Sequence, residues 1–149
     1  MSVSYLGNKE ILNKYKVGFL CSRKVPADII LKTYDWAIEQ RDKGICVVSG
    51  FHSKIEKDVF HYLAKGKQPI ILVLARSMHK RVPNELKELL DDGRLLIISP
   101  FEENVNRITE QTAFIRNKYI MNISNELKIP FVSKGGLLDK LLKEKNTIT

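Results

Sequence analysis

Arg116 and Asn117 stand side by side in the run Phe114-Ile115-Arg116-Asn117-Lys118-Tyr119-Ile120, an otherwise mostly apolar stretch. A guanidinium grips a phosphate through paired N–H donors, an amide holds a base edge or a backbone group, and a phenyl ring stacks on a base. Two upstream segments carry compatible chemistry: Gly18-Phe19-Leu20-Cys21-Ser22-Arg23 and Val47-Val48-Ser49-Gly50-Phe51-His52-Ser53-Lys54-Ile55-Glu56. In the second, Ser49 and Gly50 offer small side chains and free N–H groups just ahead of a helix N-terminus, where the positive end of the dipole suits an anion. Spacing by itself gives the Arg-Asn run a plainer account, with Phe114 in the core and Arg116 in solvent.

Other chemistries lack their parts. His52, His61 and His79 are scattered, with no Ser/His/Asp arrangement or metal-ligand spacing around them. No two carboxylates converge near a loop, and Glu56 is explained by a capping box with Ser53. The chain has no GxGxxG and no GxxxxGK[ST], which disfavours a dinucleotide site and P-loop chemistry. Its two cysteines, Cys21 and Cys46, fall within apolar strand patterns without a CxxC, so they read as reduced and buried rather than as a disulfide or metal site. Cys21 lies near a candidate loop, which leaves a reactive thiol as the minority reading. No catalytic residue, metal or cofactor is expected, and the chain reads as a binding protein rather than an enzyme.

The elements that must position these residues alternate along the chain. Lys16–Cys21 reads as a buried strand, followed by a helix that Pro26 opens and Gly44 closes. Ile45–Val48 is a second strand, and Ser53 starts a helix whose apolar face is Ile55, Val59, Tyr62 and Leu63. Pro69–Ala75 is a third strand, Pro83–Asp92 a short helix, and Leu95–Ser99 a fourth strand. A helix over Thr109–Ser124 carries the Arg-Asn pair. Lys128–Val132 reads as a fifth strand, and an amphipathic helix follows Gly136. The first fifteen residues are polar and mixed, with one short helix over Asn8–Lys14. Near-continuous apolar strands separated by helices predict an α/β fold: a Rossmann-like three-layer αβα sandwich with a mostly parallel sheet of about five strands.

In such a sheet, ligands bind beyond the carboxyl ends of the strands, where strand order reverses. Those ends lead into Ser22, Arg23 and Lys24; Ser49, Gly50, His52, Ser53 and Lys54; Arg76, Ser77, His79, Lys80 and Arg81; and Ser133, Lys134, Gly135 and Gly136. Only the fourth strand leads into acid, at Glu102 and Glu103. Basic residues therefore gather along one sheet edge, where a phosphate chain could lie. The formal net charge of +8 would steer polyanions toward it. The bulk properties set the remaining bounds. The 149 residues form a single domain (1–149), and 44% hydrophobic with 28% charged residues is ordinary for a soluble protein. No apolar run approaches the roughly 20 residues of a membrane span. The N-terminus lacks the pattern of a signal peptide, so a cytoplasmic location is expected, with no membrane partner.

Taken together, Leu20-Cys21-Ser22-Arg23, Ser49 to Glu56, Phe114 to Ile120 and Ser133-Lys134-Gly135-Gly136-Leu137 resemble the motifs of the DNA-processing protein A family (DprA, also called Smf), within the SLOG group of nucleotide-binding folds. The family pattern runs Gly-Ser-Arg after a strand, Ser-Gly-x-Ala-x-Gly-Ile-Asp, Phe-Pro-x-Arg-Asn-Arg-Ile-Ile, and a Gly-Ser-Leu step. Order and approximate spacing match over about Val17 to Leu142. The resemblance implies binding of single-stranded DNA in a basic pocket and, for full-length members, a part in DNA uptake, recombination and natural transformation. Carried over by position, Ser22, Arg23, Arg116 and Asn117 meet the phosphate backbone and Phe114 stacks on a base. Ser49, Gly50 and His52 shape the pocket, and Lys134 and Gly135 stand at its rim. Homodimerisation and recombinase loading belong to the same resemblance. Departures bear on them: Lys54 stands where the family has Gly, Glu56 where it has Asp, and Phe114 is followed by Ile115 rather than Pro. A nucleotide in place of DNA, bound by a sensor or a nucleoside-monophosphate phosphoribohydrolase, is the alternative. The hydrolase relatives carry Pro-Gly-Gly-x-Gly-Thr, of which Gly135-Gly136 retains only the two glycines.

Overall fold

The computed structural model describes residues 2–148. In it a six-stranded sheet carries helices on both faces. The strands are β1 (Ser4–Gly7), β2 (Lys16–Phe19), β3 (Cys46–Ser49), β4 (Ile70–Val73), β5 (Leu95–Ser99) and β6 (Glu126–Lys128), in the spatial order β1-β5-β4-β3-β2-β6. All pairings are parallel except β1 on β5. The helices are α1 (Ala27–Lys43), α2 (Lys54–Ala64), α3 (Asn84–Asp91), α4 (Glu110–Ile123) and α5 (Leu137–Ile148), with a short 3-10 helix at Lys9–Asn13. The Rossmann-like α/β sandwich expected from the strand pattern is the fold observed.

The near-continuous apolar strands divide between two cores, as the period-two pleat requires. Val47, Ile70, Leu72, Leu95 and Ile97 pack beneath α1, α2 and α3. Their alternates Cys46, Val48, Ile71, Val73, Leu96 and Ile98 pack beneath α4, α5 and the 3-10 helix. Burial on both faces explains why these strands read as apolar runs rather than as alternation. Helix ends follow their local signals. Gly44 closes α1 in the left-handed region at φ 74°, where only its lack of a Cβ makes the turn inexpensive. Capping boxes open α2 at Ser53 and α4 at Thr109.

Two expectations need correction. The last strand is not Lys128–Val132 but Glu126–Lys128, an edge strand aligned with β2 from Val17↔Glu126 to Phe19↔Lys128. Pro130 has no N–H to continue the ladder, and an edge strand needs no apolar run on both faces. The polar N-terminal stretch also contributes a strand. Ser4–Gly7 adds to the far edge of the sheet with Tyr5 opposite Ile98 and Leu6 opposite Ile97, and half of it faces outward.

The order of strands reverses at β2, which has β3 on one side and β6 on the other. The crevice beyond the carboxyl end of β2 is thus the place where this architecture binds ligands. Among the described residues no helix is long and apolar enough to cross a membrane.

Candidate functional site

A cavity of about 250 Å³ opens in that crevice. Its walls bring together Ser22 and Arg23 from the end of β2, His52 from the β3–α2 loop, Arg116 and Asn117 from α4, and Ser133 from the loop before α5. Residues separated by almost the whole chain therefore meet at one point.

Arg116 is the central group, and it is not the solvated side chain that spacing alone suggests. It is 6% exposed. The sheet-to-helix packing of Ile120 and Met121 in the core fixes α4, and one turn earlier that helix face looks over the strand ends rather than onto them. Arg116 Nε donates to Asn117 Oδ1 at 2.9 Å, so the neighbouring amide orients the guanidinium plane. Burial lowers the Arg116 pKa, Glu56 opposes that shift, and Arg23 adds to it. An arginine remains charged under such a load, so the cavity holds a partly desolvated, preoriented cation.

Gly50 makes that placement feasible. A Cβ on Gly50 would lie 2.2 Å from Arg116 Nη1 and 2.5 Å from its Cζ. The guanidinium thus lies flat on the bare backbone of the β3–α2 loop. The loop is held in this shape by its neighbours: Phe51 takes a positive φ of 44°, unusual for a bulky residue, and its ring is buried edge-on against Phe60 at 5.0 Å. Ser49, fully buried, accepts from Phe51 N through its Oγ. Neither residue lines this cavity: Gly50 borders it only through the guanidinium it seats, and Ser49 lies beneath the loop.

The N-terminus of α2 differs from the expectation that its N–H groups stand free. Glu56 Oε1 accepts from His52 N at 2.9 Å and from Ser53 N at 3.1 Å, and Ser53 Oγ accepts from Glu56 N. The protein's own carboxylate takes the place at this helix end that an external anion would use. Glu56, 6% exposed, also acts electrostatically on Arg116, favouring its charged form. Sequence reasoning gave it only the capping role. The cationic side chains lining this cavity are those of Arg116, Arg23 and the exposed Lys24.

The other predicted residues divide. Ser22 Oγ accepts from Ser133 N at 2.8 Å, and Ser22 N donates to Phe131 O, which ties the end of β2 to the loop before α5. Lys134 and Gly135 are exposed just outside the cavity, with Gly135 N donating to Asp139 Oδ2. Phe114 lies apart. It packs partly into the core and lines a shallow depression with Gln111, Leu137 and Lys140; Leu137 also borders the cavity. Burial pushes the Cys21 thiol up to about 11, so it is protonated at neutral pH and a poor nucleophile. His52 has its pKa lowered, first by burial and then by the charge of Arg116.

A second, larger cavity of about 480 Å³ shares a wall with the first, made by His52 and Arg116. It runs beneath α3 and the loop after β4, with Arg76, His79 and Leu86 in its lining. The strand-end rule pointed to Arg76 and His79 as loop residues but gave no sign of a cavity behind them.

The sequence model of the family described as DNA recombination-mediator protein A matches residues 1–134. No curated protein matches the chain. Among solved structures, DNA processing protein A from Helicobacter pylori, described for its mode of binding single-stranded DNA, is similar at 18% identity and a TM-score of 0.75. That match covers 97% of this chain and 68% of the Helicobacter chain. DNA processing protein A from Streptococcus pneumoniae is similar at 17% identity and a TM-score of 0.73, over 96% of this chain and 52% of that one.

Proposed function

We propose that this chain, which belongs to the DNA recombination-mediator protein A family, binds single-stranded DNA by seating a backbone phosphate on Arg116 in the cavity at the carboxyl end of β2. The observation that carries the reading is the buried guanidinium, oriented by Asn117 and laid on Gly50, in a cavity whose other cations are Arg23 and Lys24. A planar fork held in one orientation suits a phosphate oxygen pair. Binding without chemistry is the role proposed, as part of handling single strands in uptake or recombination. Fluorescence anisotropy of labelled oligo-dT against increasing protein tests it directly.

The strand's path follows from the shared residue Leu137. From the cavity it continues over α4 and α5 to Phe114, whose depression lies next along that surface. Phe114→Ala is then expected to cost about 1–3 kcal/mol for each base stacked there, with little change in salt dependence. Unaltered affinity in that variant would remove Phe114 from the path.

His52 supplies a pH signature. Beside Arg116 in the free protein its pKa lies below the ordinary 6.5. A phosphate placed between them raises it, so binding takes up a proton. Affinity for the oligonucleotide should therefore rise as pH falls from neutrality toward the depressed free-state pKa, and level off below it. His52→Gln should lose that rise. A rise of equal size in the variant would assign the effect to another group.

A further inference from the structure

Beyond the wall of His52 and Arg116 that it shares with the smaller cavity, the larger cavity is not used by the proposed strand, yet it is built like a ligand site. Its volume of about 480 Å³ falls among small-molecule sites, which span about 300–1,000 Å³. Its floor is apolar and buried, formed by Phe51, Phe60, Leu72 and Leu74. Two polar atoms in its lining residues, Arg76 Nε and His79 Nδ1, are buried and meet no hydrogen-bonding partner among the described residues. One such atom is costly in a folded protein, and two in neighbouring residues of one wall call for an explanation. Burial and the adjacent Arg76 lower the His79 pKa in the free protein. The cations left in the lining are Arg76, Arg116 and the exposed Lys57, and the carboxylate is Glu85. Arginines suit an anion, while a carboxylate accepts from the N–H groups of a heterocycle and disfavours a polyanion.

We propose that this cavity binds a free nucleoside monophosphate, its ring over the Phe51–Phe60 floor and its phosphate drawn between Arg76 and Arg116. Arg76 and His79 turn from the wall to supply the donors. The consequence for DNA, though not the site itself, rests on the strand-binding reading. Arg116 Nε is already given to Asn117, and the remaining guanidinium nitrogens cannot serve two phosphates at full strength. The free nucleotide thus weakens the strand's hold across the shared wall.

The test uses the full chain, with calorimetric titration of dAMP, dTMP and inorganic phosphate and, separately, anisotropy of labelled oligo-dT in their presence. The monophosphates are expected to bind, and inorganic phosphate to bind far more weakly because it leaves the apolar floor uncovered. Ile108, 42% exposed where it borders the cavity, lets the opening be narrowed without disturbing the core. Ile108→Trp and His79→Ala should each weaken dAMP by about tenfold, the size of one or two lost hydrogen bonds or of partial exclusion. Arg23→Ala should leave dAMP binding in place. Ile108→Trp should bind oligo-dT as the wild type does, with about tenfold more dAMP needed to compete. Circular dichroism melts confirm that each variant is folded. If oligo-dT fails to bind while dAMP still responds to Ile108→Trp and His79→Ala, the cavity assignment stands and the strand reading falls. Absence of heat with either monophosphate would overturn the assignment. So would dAMP binding abolished by Arg23→Ala and untouched by Ile108→Trp, since the ligand would then occupy the smaller cavity.

Discussion

Arg116→Ala is expected to weaken single-stranded oligonucleotide binding by about 10–100-fold, because a charge-assisted hydrogen bond contributes about 1.5–3 kcal/mol. The loss has two parts. The phosphate loses its oriented fork, and Glu56, which lines the same cavity, is no longer offset by the Arg116 charge, so the local field becomes less favourable to an anion. The slope of log affinity against log salt should flatten by about 0.7, the increment of one neutralised phosphate on a single strand. The loss should be of similar size for unrelated sequences, as expected of a backbone contact. Arg116→Lys keeps the charge without the planar fork and should recover only part of the affinity. Equal affinity and equal slope in Arg116→Ala and the wild type, measured by anisotropy across a salt series, would remove the residue from the interface.

Gly50→Ala should cost nearly as much, although it removes no charge and no donor. The added methyl would stand 2.2 Å from Arg116 Nη1, well inside contact distance, so the guanidinium must leave its seat. The side chain can give way without breaking the sheet, and the protein should stay folded by circular dichroism. Because both substitutions act through one group, they should not add. The double variant Gly50→Ala/Arg116→Ala should bind no more weakly than Arg116→Ala alone, which is the behaviour of coupled neighbours. Additive losses in that cycle would show that Gly50 acts by some route other than seating Arg116.

Much of the fold was legible because the strands that carry the core are buried on both faces. Val47, Val48, Ile70 to Val73 and Leu95 to Ile98 announce themselves as apolar runs, and Ser53, Thr109 and Gly44 mark helix ends by known local chemistry. The edge strands were not legible in the same way. Ser4–Gly7 and Glu126–Lys128 each bury only part of their surface, so their residues need not be apolar, and their pairing is set by neighbours distant in sequence. Of the site, the strand-end rule identified Arg23 and Ser22, and the motif order pointed to Arg116 and Asn117. What periodicity could not supply was the burial of Arg116, since a helix position beyond the strand ends loses solvent only through loops contributed by β2 and β3. Nor could it reveal that Glu56 would accept from His52 N and Ser53 N. That depends on the loop curling back over the helix end, which the positive φ of Phe51 permits.

A single strand with its phosphates on the basic cavity at the carboxyl end of β2 releases counterions when it binds. The most direct test is the salt dependence of oligo-dT affinity in the wild-type protein. Binding should be tight at low salt, and log affinity should fall linearly with log salt at about −0.7 per phosphate neutralised. Contacts from Arg23, Lys24 and Arg116 together would give a slope near −2. An oligonucleotide that fails to bind at low salt, or that binds with an affinity indifferent to salt, would rule out a strand held there by its phosphates.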